Sequence, residues 1–203
     1  MFADYDINSF IHEDLIENEE ILWSGQPNDS IFCRNDWAMI PLSLFWSVFI
    51  FAWEIIAIIS GIYSAMLIPF IMAIFGIPFV IMSLYILIGR FFYKSYLKKN
   101  IYYYVTNKRA IVAINKEYKK FECEYLDSLN VINKQIDIAG SGNIIFGNSP
   151  LMIAIFLNTG LDMFAKGQGY NTLPMAFCDL DDADVVIKLI NEVRRGNYEN
   201  TDK

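Results

Sequence analysis

Hydrophobic and polar positions follow three different rhythms along the chain. From Met39 to Ile88 they hardly alternate: the stretch is apolar on every face and holds one charged side chain, Glu54. A bilayer core needs about 20 helical residues, and residues 39–63 and 65–88 each reach that length. The flanking chain is too short to cover two helices that are apolar all round. The pattern therefore predicts two transmembrane helices, antiparallel because the link "SGIYS" is short and uncharged.

From residue 101 the rhythm shortens. "IYYYVT" and "RAIVAIN" are β-rich runs either side of a turn, and "KFECEYL" alternates charge with Phe121, Cys123 and Tyr125. "NVINKQIDI", "GNIIFGN", "LMIAIFL" and "LPMAFCDL" are further short runs, separated by turn signals such as "AGSG" and "NSP". The third rhythm is helical. Asp181 or Asp182 is the expected N-cap, Val186, Leu189, Ile190 and Val193 share a face, Arg194 and Arg195 fill the last turn, and Gly196 stops the helix. Its apolar face needs cover, most simply a small barrel or sandwich of about seven strands. Residues 159–172 read as a mobile loop.

The segment "EEILWSGQPN" lies in a 36-residue stretch that cannot build a core of its own. It is expected to supply the first strand of the later sheet, with Trp23 mostly buried and the membrane hairpin inserted between strands. The organisation predicted is an acidic segment 1–36 with that strand, a hairpin over 37–99 with a basic extension, a β-domain over 101–196, and a disordered tail 197–203.

Charge sharpens this division. Residues 1–36 hold nine acids and one base, residues 90–120 nine bases and one acid, and residues 121–203 twelve acids and six bases. Arg90, Lys94, Lys98 and Lys99 follow the second apolar stretch, which by the positive-inside rule makes that end, and both termini, cytoplasmic. Arg90, Lys94 and Lys98 recur every four residues, so a continued helix would hold them on one face near the lipid headgroups. With Lys108 and Arg109 in the first hairpin turn, these bases are the candidate contacts for anionic lipid, at about 1 kcal/mol per base near a charged leaflet. For the first four, fixing topology is the plainer role.

Within the spans, Ser43, Ser47, Glu54, Ala57 and Gly61 fall on one helical face, and Ala73, Gly76, Val80 and Ser83 on another. Small faces let membrane helices pair closely. An ionised Glu54 near the bilayer centre costs at least ~2.5–3.5 kcal/mol. It is therefore expected to be protonated and hydrogen-bonded to the second span, near Met72 to Gly76, or to another copy.

Catalytic chemistry finds little to work with. Three separated cysteines without C-x-x-C suit free thiols, and a single histidine, His12, excludes His-based metal centres and triads. No catalytic, cofactor-binding or metal-binding constellation stands out, and the glycines near 140–147 lack the Lys and helix of a phosphate loop. Asp179, Asp181, Asp182 and Asp184 suit helix capping better than calcium. The first thirty residues lack a signal-peptide pattern. No nucleic-acid partner is expected, though the overall balance of 23 acids against 16 bases is a poor guide for a chain with one strongly basic block.

Five segments in order, "EEILWSGQPN", "GIPFVIMSLYILIGRFF", "YYYVTNKRAIV", "GSGNIIF" and "FCDLDDADVVIKLI", resemble bacterial membrane-anchored proteins with a pleckstrin-homology-like (PH-like) domain. In that family a W-S-G-x-P segment precedes two spans and a Y-x-x-T-x-x-R hairpin opens the β-domain. The resemblance implies a membrane α-helical hairpin plus a mainly-β PH-like barrel or sandwich closed by a C-terminal α-helix, in a bacterial inner (plasma) membrane. It implies no set activity. The expected function is non-enzymatic: a multi-pass protein presenting the PH-like domain at the cytoplasmic face as a binding or scaffold module for protein or anionic lipid, alone or as a homo-oligomer. The alternative is an oligomeric ion or proton transport component using Glu54.

Overall fold

A computed structural model describes residues 11, 14–64, 66–115, 119–136, 140–147, 157–161 and 174–196. The chain forms two compact units. One gathers residues 1–29, 97–149 and 174–203, the other residues 30–96 and 150–173. Most of "LMIAIFL", most of the expected loop 159–172 and the tail 197–203 lie outside the described residues.

The first unit is mainly β. Strand β1 (Ile21–Gly25) pairs antiparallel with β2 (Ile101–Thr106), which continues through β3 (Arg109–Asn115) to β4 (Lys119–Tyr125) as a four-stranded meander. Strands β5 (Ile132–Ile136), β6 (Gly142–Phe146) and β7 (Ala176–Leu180) make a second antiparallel sheet. Among the described residues the two sheets do not close into a barrel, which corrects one form of the expected fold. After β4 the chain turns Leu126 and Leu129 into the core, so it changes sheet there without continuing the ladder.

The core holds Tyr103, Val105, Val112, Ile144, Phe146 and Phe177, and the C-terminal helix Ala183–Arg194 adds Val186, Ile187 and Ile190. Leu189 and Val193 are only partly buried against it. Asp182 sits at the N-cap without a side-chain bond, and the first turn is closed by the Val185 and Val186 amides donating to its carbonyl.

Strands β2 and β3 show almost no apolar–polar alternation because both faces are covered. Tyr104, Ile111 and Ala113 point away from the main core into a second cluster with Ile11, which is 1% exposed, and Leu15. The acidic N-terminal segment thus supplies cover as well as a strand. Trp23 is mostly buried, as expected, packed against the main core with its ring stacked 6.2 Å from Phe177, though not sealed from solvent. As a residue of the edge strand β1, it has a partner strand on one side only.

The second unit is built on two helices long and apolar enough to cross a membrane. Helix α1 (Arg34–Ser64) packs against α2 (Leu67–Leu84), which passes through a π-helical turn (Tyr85–Gly89) into α3 (Arg90–Lys98). The small faces meet as expected: Ser43, Ser47, Ala57, Gly61, Gly76 and Ser83 are buried. Elsewhere the pair is apolar and open, with Phe45 73% and Phe75 71% exposed.

Candidate functional site

Where the hairpin begins and ends, one carboxylate serves two cations. Asp36 lies in the first turn of α1 and is 0% exposed. Its Oδ1 accepts from Arg90 Nη1 at 3.0 Å, and its Oδ2 pairs with Lys94 Nζ at 3.3 Å and accepts from the Cys33 amide at 2.8 Å. A carboxylate that reaches back to the amide before the helix satisfies a donor with no intrahelical partner. Asp36 is therefore cap and counter-ion together. Burial, the largest influence on Cys33, pushes its thiol up to about 11.

The same base grips residues 157–161. Four consecutive carbonyls each accept a side-chain donor: Leu157 from Asn35 at 3.0 Å, Asn158 from the Cys33 thiol at 3.2 Å, Thr159 from Arg90 at 3.3 Å and Gly160 from the Tyr85 hydroxyl at 2.8 Å. Gly160 has φ 74°, and a β-carbon there would sit 2.7 Å from the Arg90 carbonyl oxygen. Only glycine fits without strain. The π turn, a feature frequent at functional positions, carries the Tyr85 hydroxyl that makes the fourth of these bonds.

Deeper in the hairpin, Glu54 lies against Gly76, where a β-carbon would collide with its Oε2. That oxygen, Ser47 Oγ and Ser83 Oγ are buried with no hydrogen-bond partner among the described residues. The expected neighbour was therefore reached, but no bond from Oε2 to span two is made. A groove of about 290 Å³ opens beside it, with Trp46, Phe49, Trp53, Phe75 and Phe79 among its lining.

Arg90, Lys94 and Lys98 do share a face, but it is buried, at 1%, 3% and 6% exposure. Lys98 pairs with Asp179 at 2.5 Å and donates to the Asn28 carbonyl at 3.1 Å. Acids the basic run itself does not contain hold these cations inward. Lys99 is exposed, and Lys108 Nζ donates to the Glu17 carbonyl at 2.5 Å.

Arg109 belongs to a buried network. Its Nε bonds Glu19 Oε1 at 2.9 Å and its Nη2 reaches Asp14 Oδ2 at 3.3 Å. Thr106 donates to the same Glu19 oxygen at 2.7 Å and accepts from the Lys108 and Arg109 amides, closing the hairpin turn. Tyr103 accepts from the Cys178 amide at 3.0 Å. Each residue of Y-x-x-T-x-x-R thus has a structural task. Burial alone would raise the Glu19 carboxyl, but bonds from Arg109, the Ile16 amide and Thr106, with the Arg109 charge, hold it below its ordinary 4.5.

A depressed carboxylate stabilises the fold above its unfolded value and loses that contribution as pH falls through the folded value. Wild type is therefore expected to exceed Glu19→Gln in thermal stability at pH 7, with the gap narrowing below about pH 4.5. Melts of both proteins from pH 7 to 3 check this. A gap constant over that range would refute the role assigned to the ionised acid.

Asp36, Thr159 and Gly160 escaped the sequence reading. A signal for Asp36 existed: two bases a turn apart at the foot of one span call for an acid at the foot of the other. Backbone carbonyls of 157–160 leave no such trace. Comparison with family models, with curated proteins and with solved structures finds no match for this chain.

Proposed function

We propose that the chain is a non-enzymatic, multi-pass membrane protein whose hairpin anchors a PH-like domain at the cytoplasmic face, where the domain serves as a binding or scaffold module. The observation that carries the anchor is exposure. Only 17% and 11% of the apolar windows of the two long helices are buried, whereas the core helix of a water-soluble protein is mostly covered. A bilayer is the medium in which so much apolar surface is stable. The arrangement of four strands, three strands and a C-terminal helix, with its first strand ahead of the hairpin, supports the PH-like reading.

Since Arg90, Lys94, Lys98 and Arg109 already serve internal carboxylates, Lys99 and Lys108 are the bases better placed for anionic headgroups, and a protein partner is the preferred ligand. A second reading, an oligomeric ion or proton transport component, draws on the unpartnered Glu54 oxygen. It ranks second because one hairpin per chain brings few other polar groups into the spans.

Orientation is the test. A cysteine introduced at Ser60 or Ser64, both exposed at the hairpin link, is expected to react with an impermeant maleimide added outside intact cells. Cys123 and Cys178 are expected to stay protected until the cells are opened. Reaction of these native thiols from outside would invert the topology and remove the cytoplasmic module.

A further inference from the structure

We propose that the aromatic groove beside Glu54 binds a lipophilic amine, a basic nitrogen on a compact apolar body, that enters from the bilayer. Five rings, from Trp46, Phe49, Trp53, Phe75 and Phe79, line the groove, and Glu54 is its one ionisable group. The Glu54 oxygen against Gly76 has no hydrogen-bond donor among the described residues. Neither apolar stretch contains Lys or Arg, so the spans themselves supply no counter-ion.

An ammonium group suits a groove lined by one carboxyl and five aromatic rings. It donates to the carboxylate, and ring faces within about 6 Å attract a cation. Low dielectric strengthens the pair, and hydrocarbon cover removes competing water. The amine crosses the lipid as its uncharged base, and one proton held between its nitrogen and the carboxyl makes the ammonium–carboxylate pair. One proton moves between two atoms, and no net charge enters the membrane. A carboxylic acid ligand would bring no charge complement, and an alcohol would forgo the ion pair and the cation–π contacts. At about 290 Å³ the groove lies at the small end for ligand sites, so the body is of single-ring size.

The proposal rests on the membrane reading only in that its ligand arrives through lipid. The test uses the full chain in phosphatidylcholine nanodiscs, with 4-fluorophenethylamine and 4-fluorophenethyl alcohol as ¹⁹F NMR probes. The amine is expected to show a saturable bound fraction absent from empty discs, while the alcohol only partitions into lipid. Glu54→Gln, which keeps the shape, is expected to weaken amine binding about tenfold or more. Trp53→Leu, which keeps the carboxylate, is expected to weaken it several-fold. Identical behaviour of amine and alcohol in wild type overturns the proposal without any variant. So does unchanged amine affinity in a well-inserted Glu54→Gln protein. Absent amine binding together with a dimer cross-linked through Phe75→Cys would assign the groove to a second copy and also overturn it. Protein that fails to co-migrate with the discs would end the membrane reading, and this proposal with it, before any probe is added.

Discussion

Asp36→Ala is expected to destabilise the base of the hairpin by about 3–5 kcal/mol, because it leaves Arg90 and Lys94 buried without their carboxylate. The side chains are 1% and 3% exposed, so water cannot replace the lost partner without opening the packing. The Cys33 amide loses its acceptor in the same step. Cys33 itself is the reporter. In wild type its thiol is buried, raised to about 11 and bonded to the Asn158 carbonyl, so maleimide should react slowly. In Asp36→Ala the reaction should accelerate, both through opening and because the Asp36 bond and charge that help raise the thiol are gone. A combined Asp36→Leu, Arg90→Met and Lys94→Met protein removes the charges altogether and should recover most of the stability, since well-packed apolar replacements of a buried ionic group are often neutral or better. Unchanged Cys33 reactivity in Asp36→Ala would show that the cluster contributes nothing to closure.

Phe177→Ala is expected to cost the β unit about 3–5 kcal/mol, the range for deleting a fully buried ring. Phe177 is 0% exposed and is the hub of the aromatic core. Tyr103 stacks 4.7 Å away, Phe146 meets it edge-on at 4.9 Å, and Trp23 covers it at 6.2 Å. Its ring joins β7 to β2 and β6, so both sheets lose contacts at once. Hydrogen exchange of the β6 and β7 amides measures the effect, with protection falling by two to three orders of magnitude (about 1.4 kcal/mol per tenfold). Phe177→Leu keeps much of the volume and should fall less. Equal protection in Phe177→Ala and wild type would mean that the second sheet is held by something other than this core.

The two expectations fail differently, which makes them informative together. The Asp36 effect comes from stranded charge and should vanish when the charges go. The Phe177 effect comes from a cavity and should scale with the volume removed.

Much of the architecture could be read from residue order alone. Fifty residues with one charge predict a pair of long apolar helices, and the short uncharged "SGIYS" turns the second back along the first. The small faces through Ser47 and Gly76 were visible because helix periodicity is a local property. So were strands β2 to β7, set by β-branched and aromatic runs between turn residues, and the helix that ends at Arg194. Tertiary structure alone decided where the charges go. Arg90, Lys94 and Lys98 look alike in sequence as a basic face, yet Asp36 and Asp179, 54 or more residues away along the chain in the first case, draw them inward. Arg109 looked like an anion contact in a turn, and Glu19, 90 residues earlier, makes it a buried strut. Pairing across such distances depends on which segments the fold brings together, and a carbonyl such as that of Gly160 carries no side-chain signature at all. Periodicity reports the face a residue occupies, whereas only the assembled chain determines what that face meets.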